Sequence, residues 1–212
     1  MTALTRADCE LLARYGDARV LWSRVDASSK RKLSSLRDRI KALLSAVVAR
    51  ETAGVPVKIF TSVLHPHDRV AQDYWGCLYP AIVPNKAFGL QLAIIVSTTG
   101  AELCCCMGIE RREARDSNTA AQNRRVLEEV QQQLVHLPPD LLTSIETRLQ
   151  GEWRFRRSLR QSPRSADFDS LAEWAQYAAS PLGAGASVSC NLSPRALDKA
   201  GEGIVEQFVT MT

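Results

Sequence analysis

Hydrophobic residues near the start of the chain recur at every third or fourth position, which is the spacing of one face of an α-helix. This pattern predicts helices over residues 3–15 and about 28–50. The second helix carries an apolar stripe: Leu33, Leu36, Ile40, Leu43, Leu44 and Val47. Its opposite side carries basic residues between Lys30 and Lys41, which form either a solvated face or a surface that lies along a phosphate backbone.

The period of the pattern changes after Gly54-Val55-Pro56, which ends the second helix. Four β-rich or strongly apolar runs follow, at residues 57–64, 74–80, 87–98 and 101–107. The last two runs flank a short turn at Thr99-Gly100 and predict a hairpin, and their nearly continuous hydrophobicity is typical of strands that are covered on both faces. Residues 57–108 are therefore predicted to form the core of a sheet.

The second half of the chain is mainly helical by the same criterion. Helices are predicted at about 118–137, 141–149, 165–179 and from Ser193-Pro194 toward Thr212, with strands near 152–157 and at 187–192.

These elements predict one α+β domain over residues 1–212, with a helical part at 1–50, a sheet core at 57–108 and a mainly helical half at 118–212. A central, mostly antiparallel sheet, completed by the strand near 152–157, is packed in that fold by the N-terminal and C-terminal helices. The sequence stops inside an apolar helical pattern, so we expect a fragment of a longer protein.

The composition is that of an ordinary globular protein, with 45% hydrophobic and 24% charged residues. No window reaches about 18 uninterrupted apolar residues, which argues against a membrane-spanning helix and a membrane partner. The N-terminus lacks a basic start followed by an apolar run, so no secretory signal is visible and a cytoplasmic location is expected.

Cysteine and histidine spacing does not suggest a metal site. The chain has six cysteines without a C-x-x-C pair, and its three histidines lack the spacing of zinc ligands. The adjacent residues Cys104, Cys105 and Cys106 alternate faces along a strand, which keeps them from pairing with one another. We expect reduced, buried cysteines, no metal and no cofactor.

Known catalytic motifs are missing as well. The sequence has no P-loop, no G-x-S-x-G and no H-E-x-x-H. Glu102, on the predicted hairpin, lacks the second acid and the lysine that a metal-dependent nuclease needs. A non-catalytic protein is expected. The alternatives are a small nuclease or thiol hydrolase with an unrecognised site, or a protein-interaction domain of a larger assembly, for which an exposed apolar patch on the C-terminal helix would speak.

Arginine dominates the basic residues, because all but six of the 27 are arginine and the net charge is +4. Residues 151–164 hold five arginines and one acid. If Trp153 and Phe155 face inward on a strand, Arg154 and Arg156 project together from its other face, where they either neutralise phosphates or keep an edge strand soluble. The candidate phosphate-binding residues are Lys58, Arg69, Arg154, Arg156, Arg157 and Arg160.

Aromatic residues gather around the predicted start of the sheet. Flat side chains beside a loop can hold a base rotated out of a duplex, although such residues more often fill a core. The loop from His65 to Arg69 could add hydrogen bonds or a phosphate contact. The candidate base-binding residues are Tyr74, Trp75, Tyr79 and Phe88.

The layout also resembles a known family. Helices are followed by V-K-I-F at 57–60, the step Tyr74-Trp75, a hairpin that starts at Phe88 and closes at Met107-Gly108, and a helical second half. This resembles the N-terminal DNA-binding domain of McrB-type modification-dependent restriction proteins, over about residues 30–110 by pattern and over the rest by element order.

The resemblance implies a double-stranded DNA-binding specificity module of an antiviral defence system. Such a domain flips a modified cytosine into an aromatic pocket and works with a C-terminal AAA+ motor or a separate nuclease subunit. By position, Trp75 matches the pocket tryptophan of the family and Phe88 matches the next aromatic residue. Tyr74 stands where the family usually has proline, which is a departure from its pattern.

Overall fold

A computed structural model gives the fold of the chain. The structure describes residues 3–50, 56–83, 90–107, 117–149, 153–157, 167–201 and 203–206. Its helices are α1 (Arg6–Leu12), α2 (Ala27–Arg50), α3 (Ser117–Val135), α4 (Pro139–Arg148), α5 (Leu171–Ala178) and α6 (Pro194–Ala200). Its strands are β1 (Val57–Thr61), β2 (Tyr74–Pro80), β3 (Leu90–Ser97), β4 (Gly100–Met107), β5 (Trp153–Arg156) and β6 (Ser187–Leu192).

The six strands form one antiparallel sheet in the order β1-β2-β3-β4-β6-β5. The hairpin of β3 and β4 lies at its centre, with Ser97 opposite Gly100 at the turn. Gly100 has a φ of +134°, and a Cβ there would lie 2.0 Å from the Leu192 carbonyl oxygen, so only glycine fits this turn. The predicted α+β class and antiparallel sheet are confirmed.

Helix α2 packs along β1 and β2, as its apolar stripe predicts. The helix begins after Asp26, whose carboxylate accepts a hydrogen bond from the Ser29 backbone N–H at 2.9 Å. The side chains of Ile40 and Leu44 come so close to the sheet that a Cβ at Gly76 would lie 2.9 Å from each of them. Helices α1 and α6 complete this part of the core.

Helices α3, α4 and α5 form a second packed group near β5 and β6. Trp174 and Leu171 of α5 bury their side chains with Phe155 of β5 and Val188 of β6. Helix α5 begins only at Leu171, after its N-cap Ser170, whereas the sequence pattern predicts a helix from residue 165. Phe168, at the front of that segment, instead makes a β-bridge with Phe155.

The two faces of the sheet differ. Two hydrophobic clusters combine side chains from helices and strands, and their strand residues all lie on one face of the sheet. We call this the helix face; examples of its residues are Ile94, Leu103 and Val188. The register puts on the opposite face, which we call the aromatic face, the side chains of Lys58, Phe60, Trp75, Cys77, Tyr79, Gln91, Ala93, Ile95, Glu102, Cys104, Cys106, Ser187, Ser189, Asn191, Arg154 and Arg156.

The apolar cluster on the aromatic face consists of strand residues only, within the described part of the chain. Central-strand residues are nevertheless buried on this face too, as the nearly continuous hydrophobicity predicts; they are Ala93, Cys104 and Cys106, whereas Ile95 and Glu102 are partly exposed. Ala93 and Cys104 are buried there beside aromatic rings from β1 and β2 rather than beneath a described helix. None of the helices described is both long and apolar enough to cross a membrane.

Candidate nucleic-acid interface

Three aromatic side chains of one apolar cluster lie on the aromatic face. Phe60, Trp75 and Tyr79 are each partly exposed, and the ring centroids of Phe60 and Trp75 are 5.2 Å apart with 44° between their planes. The small side chains of Cys77 and Ala93 are buried among the rings. The rings thus share a supported surface that keeps part of each one accessible.

The strand register explains this arrangement. Phe60 lies opposite Cys77, and Lys58 lies opposite Tyr79, so alternate residues of β1 and β2 turn their side chains to the same face. Ser62 fixes the start of β2, because its N–H donates to the Trp75 carbonyl at 2.8 Å and its hydroxyl accepts from the Trp75 N–H at 3.0 Å.

Tyr74 does not join these rings. As the neighbour of Trp75 on a strand, it turns to the helix face, where only 1% of it is exposed. Its hydroxyl donates to the Leu64 carbonyl at 3.0 Å, and burial raises its pKa. The predicted grouping of Tyr74 with Trp75 is therefore not formed. Phe88, the fourth candidate, lies outside the described residues.

The arginines of β5 divide as their alternation predicts, with Arg154 and Arg156 on one face and Trp153 and Phe155 on the other. Arg156, however, is only 1% exposed. Its guanidinium forms an ion pair with Glu102 and donates to the Ser189 hydroxyl at 2.6 Å. This side chain belongs to a buried polar cluster and does not present its charge to solvent. Arg154 is half-buried on the same face, opposite Ser189.

The other phosphate candidates are dispersed. Lys58 is exposed on the aromatic face, at its β1 edge. Arg69 is exposed in the loop before β2 and donates to the Arg19 carbonyl at 2.9 Å. Arg157 is exposed, and its guanidinium lies 5.6 Å from the rings of both Phe168 and Tyr177. Arg160 lies outside the described residues.

The loop before β2 is held against the segment that precedes α2. His65 stacks on Trp22 at 4.7 Å between ring centroids, and Leu21 makes a β-bridge with Arg69. His67 and Asp68 both have positive φ, at 54° and 58°, a conformation that side chains other than glycine rarely adopt. The loop is thus held by contacts and locally strained, and it lies at the end of the sheet where β2 begins.

Three of the described cysteines carry thiols that ionise less readily than a free thiol. Burial raises the pKa of the Cys105 thiol to about 12 and that of Cys9 to about 11. A hydrogen bond with Cys106, together with burial, holds the pKa of Cys104 well above its ordinary range. A thiol that keeps its proton is a poor nucleophile.

The structure also bears on the other two alternatives, a metal-dependent nuclease and a protein-interaction domain. The described part of the chain contains no group of three His, Cys, Asp or Glu residues placed to hold a metal ion. In the short helical turn at 203–206, Ile204 and Val205 are buried, so the apolar residues described there are core rather than an exposed patch.

Sequence reasoning missed Phe60 and the cluster of Glu102, Arg156 and Ser189. Phe60 could have been found, since it lies two residues from Lys58 on the same predicted strand. The ion pair could not, because its partners are 54 residues apart and meet only through the order of β4, β6 and β5. In comparisons with known proteins, the sequence matches neither a family profile nor a curated protein.

Proposed function

We propose that this chain is a DNA-recognition module that tests a single base, rotated out of a duplex, on the aromatic face of its sheet. The observation that carries the proposal is the group of partly exposed rings of Phe60, Trp75 and Tyr79, which lie on the face of the sheet against which no described helix packs in their cluster. Stacking of a base on such a ring contributes about 1–3 kcal/mol in proteins that bind single-stranded nucleic acid.

In this proposal, charged and aromatic side chains contact different parts of the DNA. Lys58 is exposed beside Tyr79 and contacts the phosphate backbone, whereas the rings contact the base. Glu102, held by Arg156, lies in the same cross-strand row as Trp75, with Ile95 between them. A carboxylate there accepts a hydrogen bond from an exocyclic amino group, such as that of cytosine.

The resemblance to McrB-type restriction proteins supplies the substrate and the setting of the proposal. The tested base is a modified cytosine, and the module serves a defence system whose AAA+ motor and nuclease are separate domains or subunits. The position of Trp75 among the partly exposed rings supports the proposal, since the resemblance implies that Trp75 is the pocket tryptophan.

A binding panel tests the proposal. Plain duplex, methylcytosine duplex and single-stranded DNA are titrated at two salt concentrations, and affinities are read by fluorescence anisotropy. We expect Trp75→Ala to lose about tenfold in affinity for the methylcytosine duplex, because one stacking contact disappears. Trp75→Phe, which keeps a ring, should restore much of the preference for modified over plain duplex.

Trp22→Ala serves as the matched control, because Trp22 is also partly exposed but stacks on His65 rather than on the aromatic face. It should keep the ratio of the two affinities. Equal losses on modified and plain duplex for Trp75→Ala, in a folded protein, would contradict the role of this face in reading a base.

A further inference from the structure

Helices α1 and α2 enclose a second concave surface, which contains no strand residue. This cleft has a volume of about 860 Å³ and is lined by Thr5, Ala7, Asp8, Glu10, Leu11, Arg14, Ser28, Arg31, Lys32, Ser35 and Arg39. Its volume falls in the range of ligand pockets, about 300–1,000 Å³. Its lining is dominated by charged and hydroxyl side chains rather than by apolar ones.

The acidic residues of the cleft are already neutralised. Asp8 is buried and accepts hydrogen bonds from Arg39 Nη1 at 2.9 Å and from the Thr5 N–H at 2.8 Å. Arg39 also donates to the Ala3 carbonyl at 2.8 Å, which fixes its guanidinium at the edge of the cleft. Glu10 pairs with Arg6 at 2.7 Å. These contacts leave the cleft without an uncompensated negative charge.

Three cations remain. Arg14, Arg31 and Lys32 are exposed, and none of them makes an ion pair with a residue in the described ranges. The hydroxyls of Ser28 and Ser35 lie on the same wall and are further possible donors. All but Arg14 project from α2, a helix of 24 residues, so their spacing is set by a rigid element.

We propose that this cleft binds a ligand with two or more linked phosphate groups. Arginine forks and hydroxyl groups match phosphate oxygens, and three cations that line one cleft without an ion pair to a described residue favour a ligand with several negative charges. A second groove of about 500 Å³ continues along α2 and shares Arg31, Ser35 and Arg39 with the first. The site is therefore long enough for successive phosphates, which come either from a free polyphosphate or nucleotide or from a nucleic-acid strand.

This inference is independent of the proposed function, because the cleft is built from the helical layer and the aromatic face from the sheet. The test is a titration of the whole chain with inorganic tripolyphosphate by calorimetry, and with duplex DNA by anisotropy. The variant Arg31→Ala/Lys32→Ala removes two cations of the cleft. The matched control Arg24→Ala/Lys41→Ala removes two exposed cations that do not line either groove.

We expect the Arg31/Lys32 variant to lose about tenfold or more in affinity, since each lost contact is a charge-assisted hydrogen bond, while the control changes little. A selective loss for tripolyphosphate identifies a free ligand, and a selective loss for the duplex identifies a nucleic-acid strand. Ser35→Asp, which adds a negative charge to an exposed position in the cleft, should weaken binding in the same way. Equal effects of both double variants, or no effect of either on both probes, would overturn the proposal.

Discussion

The two faces of the sheet are built from the same strands but serve different ends. On the helix face, Ile94 and Leu103 are fully buried beneath aliphatic side chains of the helices. On the aromatic face, their neighbours Ile95 and Glu102 keep part of their surface exposed, beside rings and a buried ion pair. Strand alternation thus lets one short sequence supply a core on one side and a chemically varied surface on the other.

The difference between the two faces determines which substitutions each face can accept. Volume is fixed on the helix face, because interiors pack closely and α2 approaches Gly76 within van der Waals contact. Polar groups on the aromatic face must instead satisfy one another. Arg156 is the main case, since it is a charged side chain with 1% exposure.

The largest effect is expected from breaking the ion pair on the aromatic face. Arg156→Met leaves the Glu102 carboxylate partly buried without its partner, and we expect a loss of roughly 3–5 kcal/mol in the free energy of unfolding, measured with urea. The double variant Glu102→Gln/Arg156→Met removes both charges and should recover most of that loss. A single variant as stable as the wild type would show that the pair does not compensate a buried charge.

The adjacent isoleucines of β3 compare the two faces directly. Ile94→Ala opens a cavity beneath the helices and should cost about 2–5 kcal/mol. Ile95→Ala removes the same atoms from the partly exposed face and should cost clearly less. Urea unfolding of the two variants measures the difference, and equal losses would mean that the faces do not differ in packing.

Some of these elements and side-chain directions can be predicted from the sequence and others cannot. The period of the apolar residues gives α2 almost to the residue, and Ser187–Leu192 coincides with the predicted strand. Alternation also predicts that Tyr74 and Trp75 point to opposite faces, but it does not say which face the helices cover. That choice depends on tertiary packing, but the grouping of both residues in one pocket conflicts with alternation itself, and the structure separates them.

Long-range pairing explains the remaining errors. The basic stretch 154–157 gave no sign that Arg156 would be neutralised by Glu102, because their contact depends on strand order. The sequence pattern predicts a start of α5 that is too early, because it includes Phe168, whose position is set by its bridge to Phe155. The cleft between α1 and α2 likewise depends on how two separate basic and acidic segments pack.

A smaller effect is expected from the cysteine side chains at high pH. Burial raises the pKa of Cys105 from 9.0 to about 12, so the unfolded thiol ionises before the folded one. The stability contributed by the protonated thiol is complete below the unfolded pKa and is lost as the pH rises toward the folded pKa. Urea midpoints measured at about pH 8 and pH 10 should fall more for the wild type than for Cys105→Ala. If the midpoint falls equally in the wild type and in Cys105→Ala between these two pH values, the assignment is contradicted.

The smallest effect is expected at the start of α2. Hydrogen bonds from the Ser29 backbone and from the Tyr15 hydroxyl lower the pKa of Asp26, which is the N-cap of that helix. Its contribution is present above the ordinary carboxyl pKa and is lost as the pH falls below it. The melting temperatures of wild type and Asp26→Ala should therefore differ slightly at neutral pH and converge in acid. A difference that persists in acid would assign the effect to something other than the carboxylate.

The proposed function requires that the aromatic face contacts the base. Fluorine NMR of the chain labelled with fluorotryptophan tests it directly, because the four tryptophans occupy different places. Trp75 lies on the aromatic face, Trp22 stacks on His65, and Trp153 and Trp174 belong to the helix-face core. On addition of methylcytosine duplex, we expect the Trp75 resonance to shift most while those of Trp153 and Trp174 stay in place. A Trp75 resonance that remains unchanged while the chain is saturated with duplex would contradict it.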